Sequence, residues 1–234
     1  MKETDIIIGE LKSLATEEKR LFLPHFFKTG KGQYGEGDVF LGVVVPHTRK
    51  VAKEHIDASA DTITELLASE YHEARLCALL IMVQKSVRGD EDTRKALADI
   101  YLASTDRINN WDLVDLSAPD IIGRYLLDKP RNILYELAES SLLWDNRIAI
   151  VSTLTFIRNN DLDDTYALAQ KMMPNKHDLI HKATGWMLRE AGKRDPRRLY
   201  HFVDSQRTSM PRTMLRYAIE KFSQEERKYI MRKQ

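Results

Sequence analysis

The sequence predicts an all-α protein, and three observations carry that prediction. Nearly every stretch spaces its apolar residues with the 3.6-residue period of a helix. The alternation of β-branched residues that marks strands is almost absent. Most of the prolines, Pro46, Pro130, Pro174, Pro196 and Pro211, fall where a helix begins or ends, so that the missing N–H costs little.

The helical pattern opens over about 3–15 and 17–28 and is then interrupted by the glycine-rich segment 29–43. Four of its five glycines, Gly30, Gly32, Gly35, Gly37 and Gly42, lie within eight residues, which makes it a loop. It lacks the GxxxxGK(S/T) pattern, follows a helix rather than a strand, and carries Glu36 and Asp38, which repel phosphate; nucleotide binding is excluded. The expected role is a shaped connection that lays Tyr34 or the Phe40-Leu41 pair against the helices. Periodicity resumes behind Pro46 over about 47–58, then over 61–69, over 71–87 with its apolar run Leu76–Met82, and over 91–104. The Asn109-Asn110 pair is a good N-cap for a helix over about 111–126. Pro119 lies four residues after Asp115 and removes the hydrogen bond to its carbonyl, so that helix kinks or restarts. Further helices follow over about 130–141 at Pro130, 144–158, 162–172, 177–192 beyond Pro174, 196–204 at Pro196, 211–220 at Pro211, and 223–232.

Helices of this length joined by short links suggest stacked antiparallel pairs, and a weak internal echo agrees. Arg75, Arg147, Lys182 and Arg212 each place a cation at the start of an apolar helix, at intervals of 72, 35 and 30 residues. If the pairs stack in register, Arg75, Trp111, Asp115, Arg147, Lys182 and Trp186 come onto one wall of a single domain spanning 1–234.

A chain of 234 residues with 43% hydrophobic residues can bury a sizeable core. No cationic leader precedes an apolar run at the amino terminus and no segment is long enough to span a bilayer, so a cytoplasmic protein is expected, associated with the bacterial nucleoid while acting. The single cysteine, Cys77, sits inside an apolar run and reads as a buried small hydrophobe rather than a nucleophile. The net charge of +1 hides an asymmetry: residues 165–234 hold 16 basic and 7 acidic residues, the rest 20 and 28. A charge run is usually a solvated surface, but this lopsided distribution reads more naturally as a footprint for DNA or RNA. The seven histidines, His72 among them, show no metal-ligand spacing and read as structural.

The stretch Trp111-Asp112-Leu113-Val114-Asp115 does what packing alone does not require. Residues four apart share a helix face, so a large aromatic ring and a carboxylate stand together. In a structural reading, Trp111 is a core aromatic and Asp115 is exposed or caps a neighbouring helix; in a functional one, the pair meets a ligand.

Taken as an ordered set, Tyr34 with Phe40-Leu41-Gly42-Val43, Pro46 and Arg49, then Trp111 to Asp115, then Trp144-Asp145-Asn146-Arg147, then Gly185-Trp186-Met187-Leu188-Arg189-Glu190, the chain resembles the AlkD family of bacterial DNA alkylation repair glycosylases over about residues 5–230. The resemblance implies a right-handed α-solenoid of antiparallel HEAT-like helical repeats that excises N3- and N7-alkylated purines from duplex DNA in base excision repair. It implies Asp115 as the catalytic carboxylate, Trp111 and Trp186 as aromatic walls, and Arg147 as a cation at the DNA backbone. Tyr34, Arg75, Lys182, Arg189 and Arg212 are the residues expected to bind DNA. The resemblance also implies a lesion attacked from the backbone side while stacked; the residues themselves fit this mode and the usual extrusion of the base equally.

The chemistry is coherent. A sugar hydrolase ordinarily needs two carboxylates, but an N3- or N7-alkylpurine is already cationic and leaves as a neutral base without protonation. One carboxylate then suffices to stabilise the oxocarbenium ion, with aromatic faces holding the sugar. No metal or cofactor is required, no membrane is engaged, and the chain reads as a monomer. The runner-up is a non-catalytic HEAT-like scaffold that binds DNA structures or another protein; RNA binding through the basic third is a further alternative.

Overall fold

The computed structural model describes residues 2–232, and its regular elements are helical; the one β-type pairing among them is an isolated bridge between Val39 and Tyr71. Thirteen of the fourteen predicted helices form within a few residues of their expected ends; the one expected over 111–126 stops at Asp115. The chain divides into two compact units, Met1–Tyr125 and Leu126–Gln234.

The first unit contains α1 (Glu3–Ser13), α2 (Glu17–Phe26), α3 (Val45–Glu54), α4 (Ala60–Leu67), α5 (His72–Arg88), α6 (Glu91–Leu102) and α7 (Trp111–Asp115), with a 3₁₀ turn at Thr105–Arg107 and a π turn at Pro119–Gly123. Starts are set by caps: the side chains of Thr16, Ser59 and Asp90 accept from the backbone N–H groups of Lys19, Thr62 and Thr93. Pro46 lies in the first turn of α3, where its ring is tolerated, so that helix begins before the proline rather than after it. α5 is the centre of this unit. Buried from His72 through Met82, it carries α1, α3, α4, α6 and α7 around it. Cys77 is fully buried there, as expected, and burial pushes its thiol up to about 12.

The helix expected over 111–126 breaks. α7 ends at Asp115, and the N–H groups of Asp120 and Ile121 both turn back to the Ser117 carbonyl, starting the π turn at Pro119. Ser117 is held by the buried Tyr101 hydroxyl at 3.0 Å, and the Asp120 carbonyl accepts from Ser86 at 2.6 Å.

The second unit contains α8 (Asn132–Glu139), α9 (Leu143–Arg158), α10 (Asp163–Lys171), α11 (Asp178–Gly192), α12 (Pro196–Gln206), α13 (Arg212–Ala218) and α14 (Gln224–Ile230). α9 is buried from Trp144 to Ile157 and packs on α8, α10 and α11; α11 packs in turn on α12 and α13. Gly185 permits the last of these contacts. A Cβ there would stand 2.5 Å from the Met214 carbonyl oxygen and from Tyr217 Cβ, so glycine lets α13 approach and fixes the face on which Trp186 emerges. Asp195 and Ser223 cap α12 and α14, the latter in a reciprocal capping box with Glu226. No helix among the described residues is long and apolar enough to cross a membrane.

Two of the cations expected on a common wall are turned inward instead. Arg75 is 2% exposed, ion-paired with Asp38, and donates to the carbonyls of Ser69 and Glu70 at 2.8 and 3.0 Å. It thereby satisfies carbonyls left by the loop before α5, sharing that of Ser69 with Arg107. Arg147 is 5% exposed and gives Nη1 to the Leu179 carbonyl at 2.7 Å, tying α9 to the first turn of α11. At both positions the cation at the helix start is bonded to backbone carbonyls of its own unit.

Candidate functional site

The site grows from α7. Asn110 is its N-cap: the side chain accepts from the Trp111 N–H at 2.9 Å, and the residue is fully buried. Five residues of helix then put Trp111 and Asp115 one turn apart on one face, both half-buried. Trp111 lies against Phe27, with ring centres 5.3 Å apart and planes 26° apart, and meets the edge of Phe26 at 6.0 Å. Phe27 in turn stacks on Phe40 at 5.0 Å. These rings, with Phe22 and Asp115, line a cavity of about 460 Å³ bounded by α2, the start of α3, α5 and α7. Phe22 and Phe26 at its rim are 52% and 49% exposed.

Two further carboxylates border this cavity, and both serve the protein. Glu73 is 1% exposed and accepts from the N–H groups of Leu41, Gly42 and Val43 at 2.9, 2.8 and 3.0 Å. The Phe40-Leu41 pair is thereby buried, the role expected for the glycine-rich segment. Gly42, at φ +97°, has Arg20 N and Thr16 O within 2.6 Å of where a Cβ would stand, so only glycine fits between α2 and the loop. Asp112 accepts from His72 Nε2 at 2.9 Å, and His72 Nδ1 is 2.8 Å from Asp38. Burial alone would lower the His72 pKa, but Asp112 and Asp38 outweigh it and raise the ring to about 9. Asp38, which burial would push up, is held below the usual carboxylate range by His72 and Arg75. Asp115, the third carboxylate lining the cavity, is half-buried.

His72, Glu73, Asp38 and Asp112 are absent from the sequence expectation, which gave His72 only a structural part and Asp38 only a repulsive one. The one available signal was a run of polar residues at the head of an apolar helix, His72-Glu73-Ala74-Arg75. Tyr34 is half-buried in the glycine-rich loop.

In the second unit, Trp186 on α11 is half-buried and lines a cavity of about 620 Å³ with Leu154, Ile157, Arg158, Glu190, Lys193 and Arg194. An aromatic face over an apolar floor with three basic residues suits a nucleotide strand. Arg158 was not singled out by the sequence, while Lys193 and Arg194 belong to its basic third. Of those that were, Lys182 is ion-paired with Asp178 at 2.7 Å but 40% exposed, and Arg212 is exposed, donating to the Met231 carbonyl at 2.8 Å. Arg189 differs from expectation: its side chain is 19% exposed and ion-paired with Glu220, so most of its charge is spent within the unit. Lys233, in the basic third of the sequence, lies outside the described residues. Among those described, no group of three His, Cys, Asp or Glu side chains is arranged to hold a metal ion.

A family model described as DNA alkylation repair enzyme matches residues 7–222. Among solved structures, the chain is similar to a predicted DNA alkylation repair enzyme from Enterococcus faecalis, with a TM-score of 0.69 and 16% identity, over 90% of this chain and 97% of that one. No curated protein matches the sequence.

Proposed function

Because this chain belongs to the family of DNA alkylation repair enzymes, we propose that it is an AlkD-like glycosylase that hydrolyses the N-glycosidic bond of N3- and N7-alkylated purines in duplex DNA. The observation that carries the reading is Asp115 one helical turn from Trp111, both lining one aromatic cavity.

An alkylated purine is a cationic leaving group. The C1′–N bond breaks with its electron pair passing to the base, which departs neutral, and positive charge develops on the deoxyribose. Asp115, in a poorly solvated surround, stabilises that charge and orients the water that adds to C1′, whose proton passes to the carboxylate or solvent. The Trp111 face holds the sugar by apolar and cation–π contact, and Trp186 is assigned the same part. Lys182 and Arg212, with Arg158, Lys193 and Arg194, are assigned to phosphates. Tyr34 is kept as a contact of the glycine-rich loop. HEAT-like stacking of the helix pairs into one right-handed domain belongs to this reading, and a single cooperative transition in urea is its test; two separated transitions would argue against it.

The deciding experiment is single-turnover release of N7-methylguanine and N3-methyladenine from a duplex by the native protein and by Asp115→Asn. Release that depends on Asp115 supports the proposal. Binding without release of either base makes the chain a groove-binding scaffold. For the second cavity, the paired change Arg158→Ala with Arg194→Ala is expected to weaken duplex binding and to flatten the slope of log K against log salt by about 1 for each phosphate that the variant no longer neutralises. An unchanged slope removes that cavity from the DNA interface.

A further inference from the structure

The His72 ring lies between two carboxylates. Its Nδ1 is 2.8 Å from Asp38 Oδ2 and its Nε2 is 2.9 Å from Asp112 Oδ2, with all three residues buried. A neutral imidazole has one N–H and one lone pair, and a carboxylate can only accept. Both contacts are therefore satisfied only when the set holds one proton more than a neutral ring and two carboxylates contain. We propose that His72 is a positioning residue whose imidazolium fastens α7 to α5 and the glycine-rich loop, and that the order of Trp111 and Asp115, with the base release it supports, is lost when that proton leaves. The part concerning base release rests on the glycosylase reading above; the part concerning site order does not.

α7 is also seated by the fully buried Leu113 and Val114, and the leverage of His72 comes from where its partner lies. The helix has five residues, and Asp112 lies between the two that matter. The ring also packs at 4.4 Å on Phe40 and at 5.1 Å on Phe27, and Phe27 carries Trp111, so His72 touches the site by a polar and by an aromatic contact. The charged groups around it are Asp38 from the loop, Glu73 and Arg75 from α5, Asp112 and Asp115 from α7, and Arg107 from the 3₁₀ turn, which repels Arg75. Glu73 is saturated by three backbone N–H groups. Loss of the proton leaves Asp38 ion-paired with Arg75 but strips Asp112 of its cationic partner, with one carboxylate facing a lone pair. The sign follows from the raised pKa: with a folded value of about 9 against 6.5 for a free ring, the stabilisation is full below 6.5 and is lost as pH rises through about 9.

The test compares native protein, His72→Gln and Asp112→Asn between pH 6 and 10.5, reading single-turnover base release, duplex affinity and near-ultraviolet circular dichroism of the tryptophans. In the native protein, release and the aromatic signal are expected to fall together above about pH 9. Asp112→Asn removes a charge that favours the imidazolium, so both curves are expected to move at least one pH unit lower. His72→Gln is expected to lack this alkaline limb and to run at least tenfold below native at pH 7, with duplex affinity within twofold. A limb at the same pH in all three chains overturns the proposal, because a merely structural contact does not move a titration. So does a His72→Gln protein with native rate and native signal. If native protein releases no base, the aromatic signal alone decides; a native signal unchanged from pH 7 to 10 sinks the proposal, independently of the glycosylase reading. Should His72→Gln fail to fold, the ring's own NMR titration in the native protein decides: a midpoint near 9 supports the proposal and one near 6.5 overturns it.

Discussion

Asp115→Asn is expected to slow single-turnover release of N7-methylguanine by about 10²- to 10³-fold, the loss typical when one preorganised electrostatic partner of a developing charge is removed. Asparagine keeps the shape of the side chain and removes only its charge. The effect should therefore fall on the chemical step, with duplex affinity unchanged or slightly higher, since a carboxylate beside a phosphate backbone opposes binding. The same assay on a duplex without alkylated bases supplies the background rate. A loss of less than about threefold would mean that Asp115 stands near the reacting bond without feeling its charge, and the oxocarbenium account would have to be given up.

Glu73→Ala is expected to produce the largest loss of stability, on the order of 3–5 kcal/mol, read from the urea midpoint at constant slope. The variant strands three buried N–H groups, those of Leu41, Gly42 and Val43, which no other side chain accepts from, and leaves a void at the head of α5. Glu73→Gln keeps the volume and one acceptor oxygen, so it should cost less than the alanine. The two variants together separate packing from hydrogen bonding. A change under about 1 kcal/mol in Glu73→Ala would show that burial of Phe40 and Leu41 is enough to seat the loop.

The helices were legible because each declares itself locally, through period, cap or proline. The pairing of Trp111 with Asp115 was legible for the same reason, since four residues of helix are one turn wherever the helix packs. What lay beyond reach was assembled from distant parts of the chain. His72 finds Asp38 34 residues before it and Asp112 40 residues after it, and a lone histidine at the start of an apolar helix looks the same with or without those partners. Arg75 is the converse case: its charge reads as a surface cation, and the carboxylate that draws it inward is 37 residues away. Glu36 and Asp38 were read together as acidic loop residues, yet Glu36 is exposed and Asp38 sits at the heart of the buried network. The basic third showed correctly that cations are abundant in the second unit. It did not show which of them, such as Arg189, had already been matched by an acid on a neighbouring helix.

Cys77 has a consequence for a protein that belongs to an alkylation repair family. A sulfur nucleophile is ordinarily among the first groups that an alkylating agent attacks, and a thiol is attacked as the thiolate. Here the one thiol is fully enclosed in α5, and burial pushes it up to about 12, away from the thiolate form at neutral pH. The chain thus offers no reactive thiol to the chemicals that create the lesions its family repairs.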